Sequence, residues 1–353
     1  MKTYKNLYPQ IHDFANLYTA YRWARCGKRD RAAVASFEFD LERNLLQLQD
    51  ALQSHTYAPG GYTNFYIHEP KRRLVSAAPF RDRVVHHALC RVIEPIWEAR
   101  FIGTSYACRV GKGTHRALDQ CHAWVRRYRY ALQGDIVKYF PSIDHQILQS
   151  LLVKHIADRE TRWLIERLVA SGEGIQSEEN PPIYFPGDDL FAALRPRGLP
   201  IGNLTSQFWA NVYLHELDMF VKHELRCPAY LRYMDDFVLF ADDKAALHAW
   251  KAAIRAFLAS RLRLEMHPKK SLVFPVQVGL EFCGFRIYPT HRRLRRSAIR
   301  RFVGRFRRQR EAFRRGELPL EKMSESVRCW IAHAAHGDTW RLRQRLFADY
   351  PLV

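Results

Sequence analysis

Apolar residues recur at helical spacing from Ile11 to about His55, first as Phe14, Leu17, Tyr18 and Tyr21, then as Leu41, Leu45, Leu46, Leu48 and Leu52. The pattern predicts two helical segments joined by a basic link. Residues 57–80 read as a hairpin instead, with the turn signal Pro59-Gly60-Gly61, alternating Phe65, Ile67, Leu74 and Val75, and Pro70-Lys71-Arg72-Arg73 at its bend. Helices are expected over 81–100 and 115–128, a buried strand over 130–137, and helices over 144–170. Residues 171–197 lose the pattern, gather Gly, Pro and acids, and read as an inserted loop, solvated unless its acids meet a basic partner. A helix over 206–225 precedes the apolar runs Tyr230-Leu231 and Phe237-Val238-Leu239-Phe240. A helix follows over 244–262, then strands over 271–274 and 280–287. Past His291, arginines crowd the chain above Leu294, Ile299, Phe302, Val303 and Phe306 at helical period, which predicts an amphipathic basic helix. Residues 327–346 read as a further helix pair with Trp330 and Trp340 in its core. The fold class is α+β, with no internal repeat.

Composition narrows the partners. The chain has 353 residues, 47% of them hydrophobic, enough for a sizeable core and two or three subdomains. Fifty-six Lys and Arg against 36 Asp and Glu leave a net charge of +20, which favours a polyanion, nucleic acid foremost. No long apolar span, signal peptide or lipidation motif points to a membrane. Seven widely spaced cysteines without a C-x-x-C suit a reducing, cytoplasmic compartment better than a disulfide framework or a zinc site. His86-His87, in an apolar helical stretch, suits packing or local hydrogen bonding better than metal ligation.

The candidate chemistry lies at Tyr233-Met234-Asp235-Asp236, where two strand-like runs pivot on adjacent carboxylates. An Asp-Asp pair at a turn is also ordinary surface chemistry, and Asp242-Asp243 reads that way. Asp135, near the end of the buried strand that stops at Phe140-Pro141, supplies a third acid. Three clustered carboxylates repel one another unless divalent cations neutralise them, and two magnesium ions in such a cage would serve phosphoryl transfer.

Six motifs then occur in one order: Pro70-Lys71-Arg72-Arg73-Leu74-Val75 with Phe80-Arg81-Asp82-Arg83-Val84-Val85; Tyr106-Ala107-Cys108-Arg109; Gly134-Asp135 to Phe140-Pro141-Ser142-Ile143-Asp144; Gly198-Leu199-Pro200-Ile201-Gly202-Asn203-Leu204-Thr205-Ser206-Gln207; the Tyr-Met-Asp-Asp hairpin; and Leu280-Glu281-Phe282-Cys283-Gly284-Phe285. In this order, nearly end to end, the chain resembles bacterial reverse transcriptases, and within them those of diversity-generating retroelements.

The resemblance implies a right-hand polymerase with fingers over residues 1–130, a palm over 131–287 with the insertion 171–197, and a basic helical thumb over 288–353. It implies Asp135 and Asp235 as principal metal ligands, Asp236 as the weaker one and the Ile136 carbonyl as a fourth, around two Mg2+ ions, with Mn2+ the other candidate. Lys71 and Arg73 would clamp the incoming dNTP. Phe140 would exclude the ribose 2′-hydroxyl, or else serve the core. Lys270 would protonate departing pyrophosphate, with Lys269 an equal structural candidate. Phe282-Cys283-Gly284 would grip the primer, and Arg292, Arg293, Arg295, Arg296, Arg300 and Arg301 would hold the RNA/DNA hybrid. Most reverse transcriptases have Gln-Gly and a final Ser-Pro in the loop where this chain has Ile201-Gly202 and Ser206-Gln207. Ile201 cannot hydrogen-bond near the nascent pair, so error-prone copying at template adenines is expected. The partners implied are a structured template RNA and a small, oligomeric helical accessory protein. A stand-alone antiviral or retron-like reverse transcriptase is the alternative. A non-catalytic RNA-binding protein of the same fold is remote, and a group II intron maturase is less expected because the chain stops soon after the thumb.

Overall fold

The structure, a computed structural model, describes residues 2–68, 72–175, 180–181 and 183–351. Nine strands form among them: β1 (Thr63–Ile67), β2 (Arg73–Ala77), β3 (Tyr130–Gly134), β4 (Tyr230–Tyr233), β5 (Asp236–Ala241), β6 (Leu272–Pro275), β7 (Leu280–Phe282), β8 (Phe285–Ile287) and β9 (Arg292–Leu294). Two compact units share the chain: residues up to Cys108 with Ile136–Arg226 and Ala252–His267, and Arg109–Asp135 with Cys227–Lys251 and the stretch from Pro268 on.

In the first unit, the helix Phe14–Ala24 buries Leu17, Ala20 and Tyr21 beside the long helix Phe80–Glu98, whose Val84, Val85, Ala88 and Leu89 are fully enclosed. The helix Leu204–Met219 packs on the same long helix, and its near-continuous buried face reflects a sequence apolar on most sides. Asp158 fastens the amino-terminal end. Its carboxylate accepts from the backbone N–H groups of Leu7 (2.8 Å) and Tyr8 (2.7 Å) while heading the helix Arg159–Ala170. The strands β1 and β2 pair antiparallel as the alternation predicts.

The inserted stretch contains one short 3₁₀ turn, Leu190–Leu194, and is tied down more firmly than a solvated loop. Arg195 makes a paired hydrogen bond to Asp188 (3.0 and 2.8 Å) and approaches Asp144 at 3.5 Å, and Asp144 also takes Arg263 at 2.8 Å. Asp144 is 2% exposed, so its two guanidinium partners supply the neutralisation that burial requires.

The second unit holds an antiparallel sheet in the order β4-β5-β3-β6 and a smaller one in the order β7-β8-β9. Its carboxy-terminal helices Arg296–Arg314, Leu320–Ala334 and Trp340–Asp349 bury Phe302, Phe306, Met323 and Trp330, with the Phe302 and Trp330 rings stacked at 3.8 Å and 7°. Two expectations need correction. Residues 292–294 are the strand β9, and the basic helix begins only at Arg296. Trp330 is core, but Trp340 is 63% exposed, because it opens the last helix and its ring meets Arg343 at the surface. No helix among the described residues is long and apolar enough to cross a membrane.

Candidate active site

Pairing of Tyr233 with Asp236 reduces the reversal between β4 and β5 to two residues, Met234 and Asp235. Met234 takes a left-handed φ of 60°, which lets so short a turn follow the strand twist. Two neighbours hold the hairpin. The Arg232 guanidinium, 0% exposed, donates to the Met234 carbonyl at 3.0 Å, and the Tyr233 hydroxyl lies 2.9 Å from Thr114 Oγ1. Arg232 carries no motif signal and the sequence reading missed it; its place beside the apolar Tyr230-Leu231 is the feature that could have found it.

The register of β3 on β5 brings the third acid to the same edge. Gly134 pairs with Phe237, so Asp135 emerges beside Asp236. Gly134 is required there, since a Cβ at that position would sit 2.2 Å from the Phe237 ring. Asp135 is 7% exposed, its N–H reaches Ser271 Oγ at 3.4 Å, and its Oδ2 accepts from the Lys270 ammonium. Among the described residues no three His, Cys, Asp or Glu side chains close on one metal position. The donor set nevertheless suits a hard cation: aspartates emerge at one sheet end, and the most buried of them already holds a positive group. Ile136, 2% exposed, is bridged to Met266 in the first unit.

The turn Phe282-Cys283-Gly284 is a second tight hairpin, with Phe282 paired to Phe285 and φ values of 45° at Cys283 and 86° at Gly284. The Gln133 side-chain amide donates to the Glu281 carbonyl at 2.8 Å and ties this hairpin to β3. Burial, followed by the charge of Asp236, raises the Cys283 thiol pKa well above its ordinary value, so this turn lies within electrostatic reach of the acidic corner.

Within the first unit, Arg73 and Ile201 line one cavity of about 280 Å³ with Lys138 and Pro141. The loop carrying Ile201 is fixed by the Ile201 carbonyl, which accepts from Ser76 N–H at 2.9 Å, and by Leu199 N–H, which donates to the Phe140 carbonyl at 2.9 Å. Gly202, at φ 124°, presses its α-carbon toward Val75, where a Cβ would come within 3.0 Å. Phe140 is half-buried and meets Tyr139 edge-on at 5.6 Å. The Cys108 thiol donates to Gln207 Oε1 at 3.4 Å. Lys71 lies outside the described residues.

Five of the six arginines expected to meet nucleic acid, Arg293, Arg295, Arg296, Arg300 and Arg301, are exposed. Arg292 is not. Its side chain is 14% exposed and bonds to His122 Nδ1 at 2.9 Å and Asp119 at 2.8 Å, so an acid partner turns it into a structural link.

Residues 67–287 match the family model for reverse transcriptase (RNA-dependent DNA polymerase), and the chain belongs to this family, with its right-hand polymerase fold. It is similar to Protein YkfC of Escherichia coli (26% identical over 280 residues, covering 68% of this chain and 70% of that protein). It is also similar to the group II intron-encoded protein LtrA of Lactococcus lactis (24% over 358 residues, 82% of this chain and 56% of LtrA). Nuclear intron maturase 1, mitochondrial, of Arabidopsis thaliana matches over 147 residues at 29% identity, 35% of this chain and 20% of that protein. The chain thus spans little more than half the length of LtrA.

Proposed function

We propose that this chain is an RNA-directed DNA polymerase that extends a primer on a structured template RNA. The observation that carries the reading is the β3–β5 register, which delivers Asp135 to the Asp235-Asp236 turn, with Lys270 on Asp135. Two divalent cations, magnesium or manganese, held by Asp135, Asp235, Asp236 and the Ile136 carbonyl, would neutralise charge on the attacking and leaving oxygens. The protein's own groups do the rest. Arg73, with Lys71, binds the triphosphate; Phe140 packs against the sugar; and Lys270 delivers a proton to departing pyrophosphate. Phe282-Cys283-Gly284 lets the primer backbone approach closely, and the exposed arginines from Arg293 to Arg301 hold hybrid phosphates.

The template role of a diversity-generating retroelement rests on Ile201-Gly202 and Ser206-Gln207. With Ile201 in the Arg73 cavity, no amide stands at that position to check pairing geometry, and copying becomes error-prone at adenines. A small helical accessory protein is the partner this role brings. A second reading, with an intron-like structured RNA as template, draws on the names of LtrA and the maturase among the relatives. The deciding assay is metal-dependent incorporation of deoxynucleotides on a defined RNA template, with Asp235→Asn as control. Loss of at least two orders of magnitude supports the polymerase reading, and activity unchanged by the substitution refutes it.

A further inference from the structure

Gln133 stands in β3, which lies inside its sheet: it pairs with Val238 of β5 on one side and with Leu272 of β6 on the other. Its backbone is therefore committed to the sheet, and its side chain leaves across the sheet face. Asp135 follows two residues on. In an extended chain residues i and i+2 share a face, so the Gln133 amide and the most buried acid of the site project the same way.

The group this amide meets belongs to the other hairpin. Gln133 Nε2 donates to the Glu281 carbonyl at 2.8 Å. That carbonyl is open to such a partner because β7 is an edge strand of its sheet, paired with β8 alone. From β6 the chain reaches β7 through the short turn Val276–Val278 and Gly279, whose φ of 86° redirects it. The β7–β8 hairpin thus hangs from the main sheet by a brief link, and Gln133 holds it at a second point. Phe282 also meets the Tyr233 ring edge-on, at 6.4 Å and 87°. A ring edge can slide along its neighbour, whereas a hydrogen bond of this length fixes both distance and direction.

Asp135 lies two residues beyond Gln133, and Cys283 lies two residues beyond Glu281, so this one bond sets the separation of the acidic corner from the Phe282-Cys283-Gly284 turn. A primer end held by that turn meets the acids at the distance the bond allows. We propose that Gln133 is a positioning residue: its amide fixes the Phe282-Cys283-Gly284 turn against β3 and thereby places the primer 3′-hydroxyl for attack. It acts through Glu281 and not on the substrate. The placement of a primer rests on the polymerase reading above; the link between the hairpin and β3 does not.

The test uses the full-length chain with Gln133→Met, which keeps the reach of the side chain and removes its donor, and Gln133→Glu, which keeps the outline and turns an acceptor toward the carbonyl. In single-nucleotide extension of a primer annealed to RNA, Gln133→Met should lower kcat about ten- to a hundredfold, while the KM for the deoxynucleotide, hybrid affinity and melting temperature stay unchanged. Gln133→Glu should fall at least as far. Amide hydrogen exchange at residues 280–287, measured without nucleic acid, should quicken in both variants. An unchanged kcat in Gln133→Met overturns the proposal. So does a loss confined to Gln133→Glu, which would trace to the added charge beside Asp135, and so does a deoxynucleotide KM that rises in place of the fall in kcat. A wild-type chain that incorporates no nucleotide would sink the polymerase reading, and the exchange rates alone would then decide whether Gln133 holds the turn.

Discussion

Gly134 abuts the outer edge of the Phe237 ring, so close that a single added carbon would fall 2.2 Å from it. The contact sets the height at which β3 crosses β5, and with it where Asp135 leaves the sheet. Gly134→Ala should therefore force the ring aside, destabilise the chain by about 1–3 kcal/mol and abolish incorporation. Adding Phe237→Leu should recover stability, read by thermal melting as non-additivity between the two changes. Equal melting temperatures for wild type and Gly134→Ala would contradict the close-contact explanation.

Ile201 lines the cavity that contains Arg73 with an aliphatic side chain, and its backbone carbonyl is already engaged by the Ser76 N–H. Ile201→Gln places an amide at the same point and should lower misincorporation opposite template adenines more than opposite the other bases. Sequencing cDNA made from a defined RNA measures this. A wild-type error rate at adenine no higher than elsewhere, or one untouched by the substitution, removes the basis for the error-prone role.

Local patterns made most of the elements readable. The alternation around Phe65 and Val75 is the β1–β2 pair, and Tyr233-Met234-Asp235-Asp236 is the hairpin its flanking apolar runs suggested. What stayed hidden depended on distant partners. Nothing near Arg292 in the chain announces Asp119 or His122, so it read as one more surface arginine. Asp144 meets Arg195 and Arg263 from segments dozens of residues away, which is why the insertion looked merely solvated. Trp340 lies six residues before Leu346, about a third of a turn away around the same helix, so the face that buries Leu346 leaves Trp340 at the surface.

His86 makes stability depend on pH in a defined direction. It is 2% exposed, and burial, with His87 and Arg83, pushes its pKa down to about 3, so the folded chain keeps it neutral while the unfolded chain protonates it below about 6.5. The unfolded state then binds more protons, and stability present above pH 6.5 is lost as pH falls toward 3, at about 1.4 kcal/mol per pH unit. Between pH 6.5 and pH 5 the loss from this residue should be about 2 kcal/mol. Urea midpoints across that range should fall less steeply for His86→Gln than for the wild type. Parallel curves would mean that His86 is protonated in the folded chain.

Arginines in one basic stretch should separate into two behaviours. Arg292 donates to His122 Nδ1 and to the exposed Asp119, and removing it leaves the buried imidazole nitrogen without its donor, so Arg292→Ala should cost about 1–3 kcal/mol of stability. Arg300 and Arg301 are exposed on the helix Arg296–Arg314, whose buried face is carried by Phe302 and Phe306. The double change Arg300→Gln with Arg301→Gln should leave stability within about 0.5 kcal/mol while weakening RNA/DNA hybrid binding. Its salt slope should fall by about 1 for each phosphate deprived of its guanidinium. Thermal melts paired with hybrid titrations at several salt concentrations test both halves. Hybrid affinity unaffected by the double change would place the nucleic acid elsewhere on the chain, and a stable Arg292→Ala that binds hybrid poorly would return Arg292 to the binding surface.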